Sequence, residues 1–385
     1  MNLIKVAARE TQVILRHPIY LVCMVLMPMV VTVLFTSMMY EGQPVEMPVG
    51  VVDNDNTSTT RRLIRTLDSF QSSKVVARYP SVEEARKAIQ RGEIYAFAYF
   101  PKHTTDDLLA SRQPKISFYY SNTSLMAGTL LFKDLKTMSV LGSAAIGQAT
   151  LSAKGVPEEM VMPVLQPIAV DLHTIGNPWI NYNIYLSTML VPGILLLFVF
   201  LITAYSLGTE LKFGTARQLM SLSGDNVIVA VTGKLLPHTV IFLSVMYMQM
   251  LYLFGILQFP APGGFWVLAL LGFISVLATQ GFALFFFSLI PNMRMAMSIC
   301  SLWGVLSFSM VGSAFPVFAM DPPLQLLSWL FPLRHYYMIY QLNIFNPFPL
   351  SESLPHILAL LAFIVAPLLL AKRLGKVLRT YHYTP

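Results

Sequence analysis

The sequence predicts a polytopic α-helical membrane protein: six spans, with a mixed α/β domain inserted between the first and second. Three observations predict it. Hydrophobic residues make up 55% of the chain and charged residues 12%, whereas soluble domains carry roughly 25% charged residues. Apolar runs near the ~20 residues needed to cross a bilayer recur along the chain. The charges are also sorted. Residues 41–180 hold 14 Lys+Arg against 14 Asp+Glu, so the net charge of +7 lies entirely in the remaining 12 basic and 5 acidic residues. These flank the apolar runs, which marks membrane orientation and not a nucleic-acid partner.

Residues 1–18 carry Lys5, Arg9 and Arg16 among apolar residues at near-helical spacing, the pattern of an amphipathic interfacial helix. The run 19–40 is too long for a signal-peptide core and reads as the first span, kinked at Pro28. Cationic flanks place its start inside, so the next domain, 41–180, is expected outside. In that domain Val49–Val52 reads as a buried strand. Further strands are expected at Lys74–Arg78, Tyr95–Phe100 and Ile116–Tyr120, and helices at Thr60–Phe70, Ser81–Arg91, Thr104–Ser111 and about Ser124–Lys154. Asp53 and Asp55 alternate with Asn as in a calcium loop. The sixth and twelfth positions are Ser58 and Ile64 where that loop needs Gly and Glu, so a capped helix start is the better reading.

From 181 to 385 a five-helix membrane domain is expected, with spans at 184–207, 236–257, 265–289, 295–317 and 354–371. Six spans put both termini on the inner side. The proposed inner segments then carry 11 Lys+Arg, and the short outer loops carry one, Arg334. The inner loop 208–234 has the most distinctive composition. Residues 215–222 have helical spacing with Leu219 and Leu222 on one face. Gly224 offers a helix stop, and Asp225 or Asn226 a fresh cap. A short helix across the inner face is a handle for a partner; a plain connecting loop is the alternative. In 315–348, prolines punctuate an apolar run too short to cross. That suggests a re-entrant or interfacial segment anchored by Trp329, Tyr336, Tyr337 and Tyr340, or an ordinary outer loop with an aromatic belt.

None of the 45 Lys, Arg, Asp and Glu residues falls within the cores of the expected spans. Ion-coupled carriers place such groups mid-membrane, so energy would have to come from elsewhere. Tyr205, Gln249, Gln280 and Ser309 could line a path or simply pack helices. No catalytic constellation emerges. Gly233-Lys234 is followed by Leu235 where a phosphate-binding loop needs Ser or Thr. His238, His335 and His356 sit at span edges, where interfacial packing explains them. Cys23 and Cys300 both lie in apolar runs, leaving neither a disulfide framework nor a metal cluster.

Four stretches in order resemble one family. They are Arg16-His17-Pro18 with Pro28; Val51-Val52-Asp53-Asn54-Asp55 followed by Arg62-Leu63; Glu210 to Leu219 with Gly233-Lys234 and Pro237; and Phe315-Pro316, Pro322-Pro323 and Pro332-Leu333. In these the chain resembles the membrane subunit of type 2 ATP-binding-cassette (ABC) exporters that carry a large extracytoplasmic domain. It departs in having Arg217 where an acidic residue is frequent and Ser223 where Pro is. The resemblance implies a permease of the bacterial cytoplasmic membrane that pairs with an identical or homologous permease and binds separate ATPase subunits. ATP and Mg would sit on the ATPase, with no cofactor in this chain. The coupling residues would be Glu210, Lys212, Gly214, Thr215, Arg217, Gln218, Leu219 and Leu222. The cargo would be a drug-like, lipid or glycan molecule, and a periplasmic adaptor could dock outside. A membrane-anchored receptor or tether is the competing reading.

Overall fold

A computed structural model describes residues 2–110, 112–165, 173, 177–178 and 180–380. In chain order its elements begin with α1 (Asn2–Arg16), α2 (Pro18–Met38), β1 (Met47–Asp53), α3 (Ser58–Asp68), β2 (Ser73–Arg78) and α4 (Val82–Gln90). They continue with β3 (Ala96–Phe100), α5 (Thr104–Leu109), β4 (Ser117–Tyr120), α6 (Leu125–Ala153) and α7 (Glu158–Leu165). The rest is helical: α8 (Tyr182–Lys212), α9 (Ala216–Leu222), α10 (Val227–Ile256), α11 (Phe265–Leu289), α12 (Met293–Met310), α13 (Pro322–Ser328), α14 (Pro332–Ile339) and α15 (Leu350–Thr380). The chain divides into a helical unit, Met1–Tyr40 with Gly176–Pro385, and an α/β unit, Glu41–Ile175. The expected boundary at 180 and the expected helix end at Ser111 fall at or beside residues outside the described set.

In the α/β unit the strand order is β2-β1-β3-β4, with β1 parallel to both neighbours and β4 antiparallel to β3. Parallel neighbours need crossover connections, and α3 and α4 supply them. Val49, Val51, Ala98 and Phe100 pack on Leu63, Ile64 and Leu67 of α3 and on Leu131 and Leu135 of α6. On the other face Val52 and Phe97 pack against Ala85 and Ala88 of α4. With both faces covered, β1 and β3 read as continuous apolar runs and not as alternating ones. The cap of α3 is Thr57, which exchanges hydrogen bonds with Thr60. Asp53 accepts from the backbone of Asp55 and Asn56, and Asp55 accepts from the hydroxyls of Thr57 and Thr105. The acidic turn therefore serves the helix start. Helix α7 has no counterpart among the sequence expectations.

Among the described residues of the helical unit six helices, α2, α8, α10, α11, α12 and α15, are long and apolar enough to cross a membrane. Within α2 a π-turn over Val22–Leu26 precedes Pro28, relieving the missing donor and ring clash that proline brings to a helix. Several boundaries differ from expectation, and the sixth span, expected at 354–371, lies within the longer α15, Leu350–Thr380. The helices around the inner loop are longer, so the connection expected at 208–234 narrows to the residues between Lys212 and Val227, with α9 inside it. The fifth span ends at Met310 and not 317, where Gly312 adopts φ +96°.

Residues 315–348 hold α13, α14 and a π-turn at Tyr340–Phe345. Tyr336, Tyr337 and Tyr340, expected as interfacial anchors, are buried in the helical core; only Trp329 keeps substantial exposure. His335 and His356 are likewise buried. His335 Nε2 donates to the Trp329 carbonyl, and its Nδ1 lies 2.9 Å from Nδ1 of His356. Rings with polar tips reach the core when the core offers them partners.

Candidate functional site

The stretch after α8 is positioned by backbone chemistry that the sequence carries in full. Helix α8 stops at Lys212, and Gly214 turns the chain at φ +69°. A Cβ there would meet nothing within 4 Å, so backbone conformation and not space demands the glycine. After α9, Gly224 and Asp225 both adopt positive φ. The Asn226 side chain then accepts from the amides of Ile228 and Val229 to start α10.

Beneath this loop lies a chain of buried ions drawn from three helices. Glu210, at the end of α8, accepts from Arg9 of α1 at 2.8 and 3.1 Å and from Lys234 of α10 at 2.9 Å. It also accepts from the Thr215 hydroxyl, which ties the start of α9 to the same carboxylate. Lys234 donates a second time, 2.6 Å to Glu10 of α1, whose other oxygen lies 2.8 Å from Nε2 of His238. Lys234, Glu10 and Glu210 are between 1% and 4% exposed. Burial opposes charge on Glu10. Its hydrogen bond from His238 and the nearby Lys234 outweigh that and hold its pKa below the ordinary 4.5. The ring of Tyr20 closes the cluster, edge-on to His238 and to Tyr205.

Helix α1 reaches this position because Gly233 lets it approach α10: a Cβ at that residue would stand 2.9 Å from Cβ of Val6. The amphipathic helix expected to lie on a lipid surface therefore packs part of its buried face, Val6, Glu10 and Ile14, against protein. Ile4 and Leu15 remain 71% and 80% exposed.

The arrangement sorts the expected coupling residues into two groups. Glu210 and Thr215 face inward as the anchor, and Lys234, expected as a basic residue of the loop, lies at the centre of the network. Leu219 was expected to offer an apolar contact to a partner. It is instead fully buried, with Ala216 and Met220, in the core of the helical unit. Leu222 is half-buried against the same core. The two leucines do share a face, but that face is already occupied.

Lys212, Gly214, Arg217 and Gln218 form the exposed side. Arg217 donates to the Arg379 carbonyl in α15, and Arg379 donates to Asp225. Beside them Phe213 is 70% exposed with the Lys212 ammonium over its ring. Sequence reasoning missed Phe213, although a large apolar residue just before a left-handed glycine is a signal of display. It also missed Arg9, Glu10 and His238. A lone acid in a basic amphipathic helix was the only local hint, since their partners lie about two hundred residues away in the chain.

The expected path residues have separate surroundings. Tyr205 meets Tyr20, while Gln249 donates to Thr32 and joins α10 to α2. Gln280 accepts from Thr239, and Ser309 is exposed near the end of α12. Among the described residues no two of these four share a hydrogen bond or ring contact. Among the same residues no group of His, Cys, Asp or Glu is arranged to hold a metal ion.

No curated protein and no solved structure matches the chain significantly. A family model described as ABC-2 family transporter protein matches residues 18–372, nearly the whole chain. Six long apolar helices among the described residues and that match together identify a multi-pass membrane protein, and the chain belongs to the ABC-2 family of ABC transporter permeases.

Proposed function

We propose that the chain is the permease subunit of an ATP-driven exporter and that α9 with its flanking turn is the element gripped by a separate ATPase. The observation that carries this is the pairing of a displayed surface, Lys212, Phe213, Arg217 and Gln218, with a buried ionic anchor directly behind it. A helix of seven residues has little stability of its own. Thr215 on Glu210, and Leu219 in the core, make it move with α8, α10 and α1 as one piece. Closure of two ATPase subunits on bound ATP and Mg would push this piece and tilt the spans attached to it. The chain itself supplies no nucleotide site; its part is mechanical.

In this reading a second permease, identical or homologous, completes the path. The termini and α9 face the cytoplasm of a bacterial cell, and the α/β unit lies on the far side, where an adaptor can dock. The cargo class is a drug-like, lipid or glycan molecule. Co-purification of the membrane-embedded chain with its ATPase tests the proposal. Wild type should retain the ATPase, and Phe213→Ala combined with Arg217→Glu should release it while the permease stays folded in the membrane. Retention of the ATPase by the double variant would remove α9 from the coupling role. An α/β unit that carries all activity with dispensable spans would favour a tethered receptor.

A further inference from the structure

Helix α6 has 29 residues, about 44 Å at 1.5 Å per residue, whereas the strands of the sheet have four to seven. Its buried residues end at Met138, because the second half runs past the sheet. A cavity of about 970 Å³ lies along that half, wholly within the α/β unit. On α6 the lining recurs at helical spacing from Met138 to Lys154, along one face of the helix. Leu63 of α3, Leu108 of α5, Leu165 of α7 and the segment 112–117 complete it.

The lining selects a ligand by its chemistry. Leu63, Leu108, Met138, Ile146, Leu151 and Leu165 give it apolar walls. Its charged residues are all cations, Arg112, Lys115 and Lys154, and each is exposed, so a ligand can reach them. Arg112 is paired at 2.8 Å with Asp107, which lies outside the lining. Among the described residues Lys115 and Lys154 are in no ion pair. The hydroxyls on α6 divide in the same way. Thr129, Thr137 and Thr150 each donate to the carbonyl four residues back. Ser139 and Ser143 line the cavity, are not buried, and donate to nothing among the described residues. A purely apolar ligand would strip water from these cations without replacing it, and a purely polar one would leave the leucine walls wet.

We propose that this cavity binds one single-chain amphipathic organic acid. A trough that follows one helix face suits a single extended chain, which lies along α6 between Leu63 and Leu165. Lys115 and Lys154 supply the charge that holds the carboxylate, and Ser139 and Ser143 offer it hydrogen bonds. The site is built from one unit alone, so it stands apart from any reading of export.

The test uses the full chain in neutral detergent and dodecanoic acid carrying a terminal photoreactive diazirine, compared with the same molecule as its methyl ester. After illumination and proteolysis, mass spectrometry maps the labelled residues. The acid should label the 138–154 face about tenfold more than the ester does, the factor expected for one hydrogen bond to a charged group. Lys115→Gln with Lys154→Gln should bring the acid down to the level of the ester. Ser143→Trp, which fills the cavity from an exposed position, should remove labelling of that face by both probes and leave the melting temperature unchanged. Equal labelling by acid and ester in wild type would overturn the proposal, as would a difference that survives the lysine substitutions. Undiminished labelling in Ser143→Trp would do the same. Labelling of that face by a photoreactive phosphatidylglycerol and not by the acid would assign the cavity to a two-chain lipid, which also overturns it.

Discussion

The two units use charge in opposite ways. In the α/β unit the ion pairs Lys74–Glu46, Lys87–Glu83, Arg91–Glu93 and Arg112–Asp107 lie on the surface, each side chain between 36% and 78% exposed. In the helical unit Arg9, Glu210, Lys234, Glu10 and His238 form one connected chain of which only Arg9, at 18%, keeps appreciable exposure. Exposed pairs gain little, because water screens them and long side chains lose entropy on pairing. Buried charges are worth keeping only when every partner is present, so each member depends on the others. The α/β unit is held by its two apolar layers and decorated with charge. The end of the helical unit beside α9 is instead joined by charge, Arg9 and Glu10 of α1 meeting Glu210 of α8 and Lys234 of α10.

The strongest way to break that contrast is to remove the central cation. Lys234→Met leaves Glu10 and Glu210 buried without their shared partner, and should destabilise the helical unit by about 3–5 kcal/mol, read as a fall in detergent melting temperature. Adding Glu10→Gln should recover part of the loss. The network should also be acid-sensitive. The folded-state pKa of Glu10 lies below its ordinary 4.5, so its contribution is present above that value and is lost as pH falls through the folded-state value. A melting temperature indifferent to Lys234→Met would mean the ions are incidental.

A second test separates display from anchoring. Phe213→Ala should leave the melting temperature unchanged yet weaken ATPase association by about 2 kcal/mol, since exposed aromatics supply much of the binding energy at interfaces. Leu219→Asp should do the reverse, lowering stability first because it puts a charge into the core. Equal effects of the two on melting would erase the distinction.

The α/β unit offers a smaller effect of opposite sign. Asp134 in α6 is buried, and burial raises its pKa above the ordinary 3.8 despite hydrogen bonds from Ser72 and Ser73; one of its oxygens has no partner among the described residues. A raised acid contributes stability that is full below 3.8 and lost as pH rises through the folded-state value. Asp134→Asn should therefore stabilise residues 41–175 by about 1 kcal/mol at neutral pH. Its advantage over wild type should shrink toward pH 4; a constant advantage in thermal melts across that range would contradict the assignment. Smallest of all, Glu83→Gln in the exposed pair with Lys87 should change the melting free energy by less than about 0.5 kcal/mol. A larger loss would mean that surface pairs in this unit matter after all.

The sequence by itself determined the kinds of element and their order. Four strands and four helices of the α/β unit, six spans, α9 and its Asn226 restart all follow from local signals: apolar period, caps, glycine and proline. These signals act within a few residues, so one chain read in order suffices. Only the tertiary structure decided which face of an element is covered. Leu219 and Leu222 share a side of α9 in any folding of these residues, but that the side meets α1 and α15, leaving Phe213 displayed, depends on helices far away in the chain. The same holds for Glu210 and Lys234, which read as loop charges until Glu10 and Arg9 arrive from 224 and 201 positions away. A charged residue looks alike in sequence whether water or a counter-ion satisfies it. The difference is set by desolvation, which exists only once the helices have packed.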